Sequence, residues 1–465
     1  MPGERVRLRE GTAPGRKRVA VVGGGLAGCE AAWQIVRRSG ANVDLYEMRP
    51  TVATLAHTTA GLAELVCSNS LKSDDPATPT GALKRELASL GSLLMAAAQE
   101  ARIPAGKALA VDRALFSATV SGALSAAPEV TILRGEATDI PEGYDAVVIA
   151  TGPLTSPALA GRLGALVGAE SLYFYDAIAP IVEVDSLDPA VVYRMDRYGE
   201  PGTGDYLNVA LAQDEYYRFV DALLAGGTVP YHDFEEGRFF DGCMPIEEIA
   251  RRGRESLAFG PLKPVGLTPA DGRRPYAAIQ FRRENEAGDA VNMVGFQTKL
   301  TYPEQERIFR EFVPGMKEAV FLRHGSLHRN TYLNGPAALN GDLTLKAVGE
   351  VRLAGQMTGV EGYVESMAIG ALAGIFTADA LEGRPFTPPP PTSALGALLA
   401  YVTTPRDPYV PTNMNFSLFP PLATTGKKLK RKLRREAHIE RARADVAPWL
   451  DRLAPFFRDP GEERL

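Results

Sequence analysis

Cysteine is scarce in this chain of 465 residues: there are three, Cys29, Cys67 and Cys243. An odd count with no close pair offers neither a disulfide framework nor the paired spacing of a zinc site, and it fits a reducing, cytoplasmic setting. The same scarcity removes the vicinal thiols that disulfide exchange requires. A dominant charge is lacking too, the formal net value being −5. Any nucleic acid would therefore be met by local basic patches rather than by overall attraction. Long apolar runs are few. The longest towards the C-terminus, AIGALAGIFTADAL, is interrupted by Asp379 and reads as too short to cross a bilayer. The opening MPGERVRLREGTAPGRKR has no apolar core of a secretory signal, so residues 1–17 read as a flexible tail. No internal repeat is visible.

What is present is an ordinary globular composition, with 45% hydrophobic and 23% charged residues, which argues against a mostly disordered chain. The length exceeds what one core usually serves, so two domains are expected. From Arg18 to Glu47 the text RVAVVGGGLAGCEAAWQIVRRSGANVDLYE reads as strand, glycine turn, helix and strand. Gly23, Gly25 and Gly28 hold the Gly-x-Gly-x-x-Gly positions, with Gly24, Leu26 and Ala27 between them. Such a turn lets backbone approach a pyrophosphate at a helix N-terminus. Glu47, nineteen residues after Gly28, is placed to accept hydrogen bonds from a ribose, which favours FAD or NAD over NADP.

Two more elements narrow the cofactor. The buried-strand signal YDAVVIATGP ends at Gly152 and resembles the return strand of glutathione-reductase-type flavoproteins. The segment VRLAGQMTGVEGYVESMAIGALAG runs from strand through Gly355, Gln356, Thr358 and Gly359 into a helix. It resembles the place where such folds aim a helix N-terminus at the flavin ring, stabilising charge on the reduced flavin. Gln356 stands where many members carry an Asp, and no second glycine turn serves a resident NADPH. The expected fold is α/β: a discontinuous Rossmann-type FAD-binding domain of the glutathione-reductase class over 18–155 and 335–465, with an inserted second α/β domain over 156–334. The stretch FTPPPPTSA reads as a stiff surface connection, and the basic segment after it as helix from about Thr425.

The strings AELVCSNSLKSD, DGCMPIEEIARRGRESLAFGPLKPVGL, VNMVGFQTKLTYPEQERIF, HRNTYLN and GQMTGVEGYVESMAIGALAG, in this order, resemble the folate-dependent, FAD-using tRNA uracil-5-methyltransferases. The resemblance spans roughly Val19 to Leu381. Related, larger wobble-uridine modification flavoproteins share the glycine elements but not the string around Cys243. The resemblance implies methylation of the T-loop uridine of tRNA, with methylenetetrahydrofolate as carbon donor and NAD(P)H as reductant. It makes Cys243 the candidate nucleophile on uracil and Cys67 a second active-site thiol, base or flavin guard, with the division of roles left open. It puts Tyr363 against the flavin face. Lys263, Arg282, His328, Arg329 and Asn330 fall in these strings, and would meet folate carboxylates, tRNA phosphates or the uracil edge, or simply solvent.

Cys29 reads as a small packing residue on the first helix. His324 and His328 have the spacing of two metal ligands but no third, so no metal is expected. The basic run Lys427 to Arg435 reads as a phosphate-binding face or a solvated one. Two other readings stay open: a flavin-dependent small-molecule oxidoreductase, and a noncatalytic FAD-bound RNA-binding protein or redox sensor.

Overall fold

The structure, a computed structural model, describes residues 16–54, 56–167, 172–229, 244–406, 409, 411–422 and 430–458, and of 172–178, 326–331 and 431 the backbone alone. The run RVAVV forms the strand Arg18–Val22 inside a six-stranded sheet. Asn42–Glu47 and Ala146–Ile149 flank it in parallel, with Val21 opposite Leu45 and Val148. Val130–Arg134 and Val348–Leu353 extend the parallel sheet outward, and Thr344–Leu345 adds one antiparallel edge. Val19, Ala20 and Val21 are wholly buried. That is why this strand is an unbroken apolar run rather than an alternating one.

The helix Leu26–Ser39 leaves the glycine turn and crosses the helix Tyr363–Leu381 at close range. A Cβ on Gly370 or Gly374 would stand 2.4 Å from the Ala27 carbonyl oxygen or 2.6 Å from that of Ala31. Small residues one turn apart are therefore what lets the two helices touch. The apolar run judged too short in sequence belongs to this nineteen-residue helix, long and apolar enough to span a bilayer, yet 89% of its apolar window is buried inside the protein. It is the core helix of the first lobe. The C-terminal helix, Arg431–Leu453, buries Ala442, Val446 and Trp449 on the same core, and the Trp449 indole donates to Thr387 in the proline-rich connection.

A second core lies between Ala179 and Phe321. Its antiparallel sheet runs Tyr193–Arg194, Leu207–Leu211, Ala277–Arg283, Ala290–Met293, Ile181–Glu183, Phe321–Arg323. The helices Gln213–Ala225 and Tyr302–Phe312 supply Phe219 and Phe309, whose rings close on Phe296 at 5.8 and 5.4 Å. The chain enters and leaves this lobe through an antiparallel ladder of Leu172–Ile178 with Ser326–Tyr332. The helix Pro157–Val167, assigned to the insertion by sequence, instead buries Leu159 and Leu163 in the first core.

Candidate functional site

The glycine turn builds one wall of a cleft in the first lobe. Gly28 has no room for a side chain, since a Cβ there would lie 1.8 Å from the Gly23 carbonyl oxygen. Gly25 is the opposite case: nothing stands within 4 Å of where its Cβ would be, and the same holds for Gly152 across the cleft. Gly25 is also the N-cap of the helix Leu26–Ser39 and offers no capping side chain. The first N–H groups of that helix, from Leu26 and Ala27, lie at a cleft wall, an arrangement suited to an anion such as a pyrophosphate. These observations fit a dinucleotide.

Glu47 ends its strand in the same cleft, 5% exposed. Its two oxygens receive four N–H groups: Arg49 N and Nε at 2.9 and 2.8 Å, Arg49 Nη2 at 3.1 Å, and Gly24 N at 3.2 Å. A carboxylate has about four such positions. A ribose hydroxyl must displace one donor to bond it, the longest being Gly24 N–H. Arg49 also reaches Glu64 Oε2 at 2.7 Å. Burial, and next the Arg49 cation, push His57 in this cleft down to about 4, so its ring is neutral. His57 and Glu64 carry no sequence signal. The Glu47–Arg49 spacing of two along a strand end was the one available hint.

The third glycine element meets the cleft through Gln356, Tyr363 and Ser366. Gly355, Thr358 and Gly359 serve packing instead: Gly355 abuts Ala27, Thr358 bonds the Gly355 carbonyl, and a Cβ on Gly359 would stand 2.1 Å from the Tyr409 hydroxyl. Tyr363 connects the cleft to Cys67. Its hydroxyl oxygen lies 2.9 Å from Cys67 Sγ and accepts from Cys67 N at 2.8 Å and Ser68 N at 3.1 Å. Burial, and then the sulfur's charge, hold that phenol well above its ordinary range.

Arg282, expected to face substrate, is turned to this segment instead. It is buried at 9% exposure, donating to Ser68 Oγ at 2.6 Å and Asn69 Oδ1 at 3.1 Å. Its strand belongs to the second lobe, so the Cys67 segment is where the two lobes meet. Lys263 is exposed on a turn of the second lobe. His328, Arg329 and Asn330 pair in register with Asp176, Tyr175 and Phe174 in the connecting ladder. Cys243 lies outside the described residues, as do 427–429 of the basic run, while Lys432, Arg434 and Arg435 are exposed on the C-terminal helix. Cys29 is fully buried, with its Sγ on the Gly24 carbonyl at 3.2 Å, and burial pushes its thiol far up. His324 stacks between Tyr302 and Phe321 and pairs with Glu306, and no metal-holding cluster occurs among the described residues.

A tight glycine turn, an open helix terminus, an acidic strand end and a second lobe closing beside a thiol define a two-lobed α/β dinucleotide-binding protein. Comparison with known proteins gives the particular family. The family described as Glucose inhibited division protein A matches residues 18–385. A methylenetetrahydrofolate–tRNA-(uracil-5-)-methyltransferase TrmFO from Anaeromyxobacter sp. (strain Fw109-5) is 53% identical, over 94% of this chain and 97% of its own length. The protein of that name from Geobacter sulfurreducens is 54% identical over 93% and 98%. Aquifex aeolicus GidA in its form I crystal shares the fold, at a TM-score of 0.67 and 16% identity, over 96% of this chain and 77% of that one. The chain belongs to the methylenetetrahydrofolate–tRNA-(uracil-5-)-methyltransferase family, within the wider Glucose inhibited division protein A group.

Proposed function

We propose that this chain is an enzyme that methylates carbon 5 of the T-loop uridine of tRNA, giving ribothymidine, with methylenetetrahydrofolate as carbon donor and NADH or NADPH as reductant. The observation that carries this reading is the near full-length, 53% identity to a relative that bears this activity in its name. The cleft supports FAD as resident cofactor: Gly25 and Gly152 leave room for it and the helix N-terminus faces it. FAD supplies two-electron chemistry beside the one-carbon unit.

The chain's own residues divide the remaining work. Leu26 and Ala27 N–H groups would hold the pyrophosphate, the Glu47–Arg49 pair would receive a ribose, and Tyr363 would face the flavin from the cleft wall. Gly23, Gly24 and Gly28 shape the turn, Gln356 lines the opposite wall, and Gly355, Thr358 and Gly359 pack behind it. Carbon 5 of uracil is a poor nucleophile until a thiolate adds to carbon 6, which is the role assigned to Cys243, with Cys67 as second thiol at the flavin. The uridine must be unstacked from the tRNA elbow to reach them, and the interlobe junction beside Cys67 suits that. Lys263, His328, Arg329, Asn330 and the exposed basic face of the C-terminal helix are the proposed contacts to tRNA or folate, in a cytoplasmic enzyme. The division into an FAD domain and an insertion follows the two separate cores, with the helix Pro157–Val167 on the FAD side and the insertion beginning beyond it.

Turnover tests the reading. Flavin-loaded protein with methylenetetrahydrofolate, NAD(P)H and unmodified tRNA transcript should form ribothymidine, and Cys243→Ala should abolish it. Correctly folded, flavin-loaded protein that leaves the transcript unchanged would sink the proposal.

A further inference from the structure

The hydrogen bonds around Tyr363 make the sulfur beside it an acceptor. Backbone N–H groups only donate, so the bonds from Cys67 N and Ser68 N, at 2.8 and 3.1 Å, occupy both lone pairs of the phenol oxygen. That oxygen has no site left for a thiol proton. Its own hydrogen is left to point at Cys67 Sγ, 2.9 Å away, and the sulfur must accept. So short a contact suits a charged acceptor, because charge-assisted hydrogen bonds are the shorter ones.

The surroundings supply the countercharge. Among the described residues, the ionisable groups facing the pair are Arg113 at the start of the helix Arg113–Ala126, Arg282 and Glu284 from the strand Ala277–Arg283 and its end, Arg323 from Phe321–Arg323, and Tyr206 beside Arg282. Three cations thus share one carboxylate. Burial, the larger cause, and repulsion from Arg113 hold both Arg282 and Arg323 below the usual arginine range, while negative charge on Cys67 acts on both in the opposite direction. The same arginines also fix the segment that carries the thiol. Arg113 Nη1 donates to the Leu65 carbonyl at 2.9 Å, Arg323 Nη1 to that of Val66 at 2.7 Å, and Arg282 to Ser68 and Asn69.

We propose that Cys67 rests as a thiolate, held by the Tyr363 hydroxyl inside a three-arginine clamp drawn from both lobes, with Arg282 the positioning residue contributed by the second. This rests on Cys67 belonging to the flavin site proposed above, but its test reads the sulfur rather than tRNA methylation, so the two can fail separately.

The experiment is the pH profile of iodoacetamide alkylation at Cys67, followed by mass spectrometry of its peptide in the full-length, FAD-loaded protein. An ordinary thiol titrates near ~8.5. The wild-type rate should hold its plateau through about pH 7, and Tyr363→Phe, which keeps the ring, should cut the rate at about pH 6.5 roughly tenfold while leaving the high-pH plateau. Arg282→Met should act in the same direction, and Arg282→Lys should recover most of the loss. If bound flavin shields the sulfur, thiolate ultraviolet absorbance, taken as wild type minus Cys67→Ser, reads the same titration. A wild-type profile at or above that of an ordinary thiol, or one that Tyr363→Phe does not move, overturns the proposal.

Discussion

Gly28 and His57 show how single residues set the cleft. Because a Cβ at Gly28 meets the Gly23 carbonyl at 1.8 Å, Gly28→Ala must open the turn. The expected outcome is a protein purified with little flavin and destabilised by about 1–3 kcal/mol, measured by flavin absorbance and chemical denaturation. His57 is held neutral by burial and by Arg49, its value falling from 6.5 to about 4. A folded state that binds this proton later than the unfolded chain has its full stability above 6.5 and loses it as pH falls towards 4. Thermal melts across that window should therefore drop less steeply for His57→Gln than for wild type, and parallel curves would refute the assignment. Gly23, Gly25, Gly28 and Glu47 were readable in sequence because a strand, a tight turn and a helix leave a local pattern. The Tyr363–Cys67 bond was not, since its partners are 296 positions apart and only the folded sheet brings them together. Arg282 illustrates the same limit: its family string marked it for substrate or solvent, whereas the fold buries its guanidinium on the Ser68 and Asn69 side chains of the first lobe.

At the level of elements, the pair of crossed helices decides the first lobe. Asp379, which in sequence only interrupts an apolar run, receives Arg38 from the glycine-loop helix at 2.6 and 2.9 Å and Arg384 at 2.7 Å. Arg38 is 2% exposed, so removing its partner strands a buried cation. Asp379→Ala should cost about 3–5 kcal/mol in denaturation, and pairing it with Arg38→Met should restore much of the loss. The sequence shows an apolar helix either way. What it hides is whether that apolar surface meets lipid or protein, and the glycine spacing that lets this helix lie on its neighbour answers for protein. The aromatic content of the second lobe was likewise visible, whereas its antiparallel strand order depends on pairings across Leu207–Leu211 and Ala277–Arg283 that no local signal records.

At the scale of the whole molecule, a chain of net charge −5 that uses tRNA must hold it through local cationic faces. Affinity for unmodified tRNA should then fall steeply between low and physiological salt, by orders of magnitude where several phosphates are neutralised, as a filter-binding titration would read. Neutralising Arg434 and Arg435 on the exposed helix face should flatten that slope, while leaving flavin content unchanged. The two lobes meet at the segment carrying Cys67, so cofactor cleft, thiol and second lobe form one working unit. The most direct measurement of that unit traces the methyl carbon. Unmodified tRNA is incubated with flavin-loaded protein, NAD(P)H and methylenetetrahydrofolate labelled in its methylene carbon, then digested and its nucleosides analysed. The account predicts label in the methyl group of ribothymidine from the T-loop; ribothymidine without label, or none at all, would contradict it.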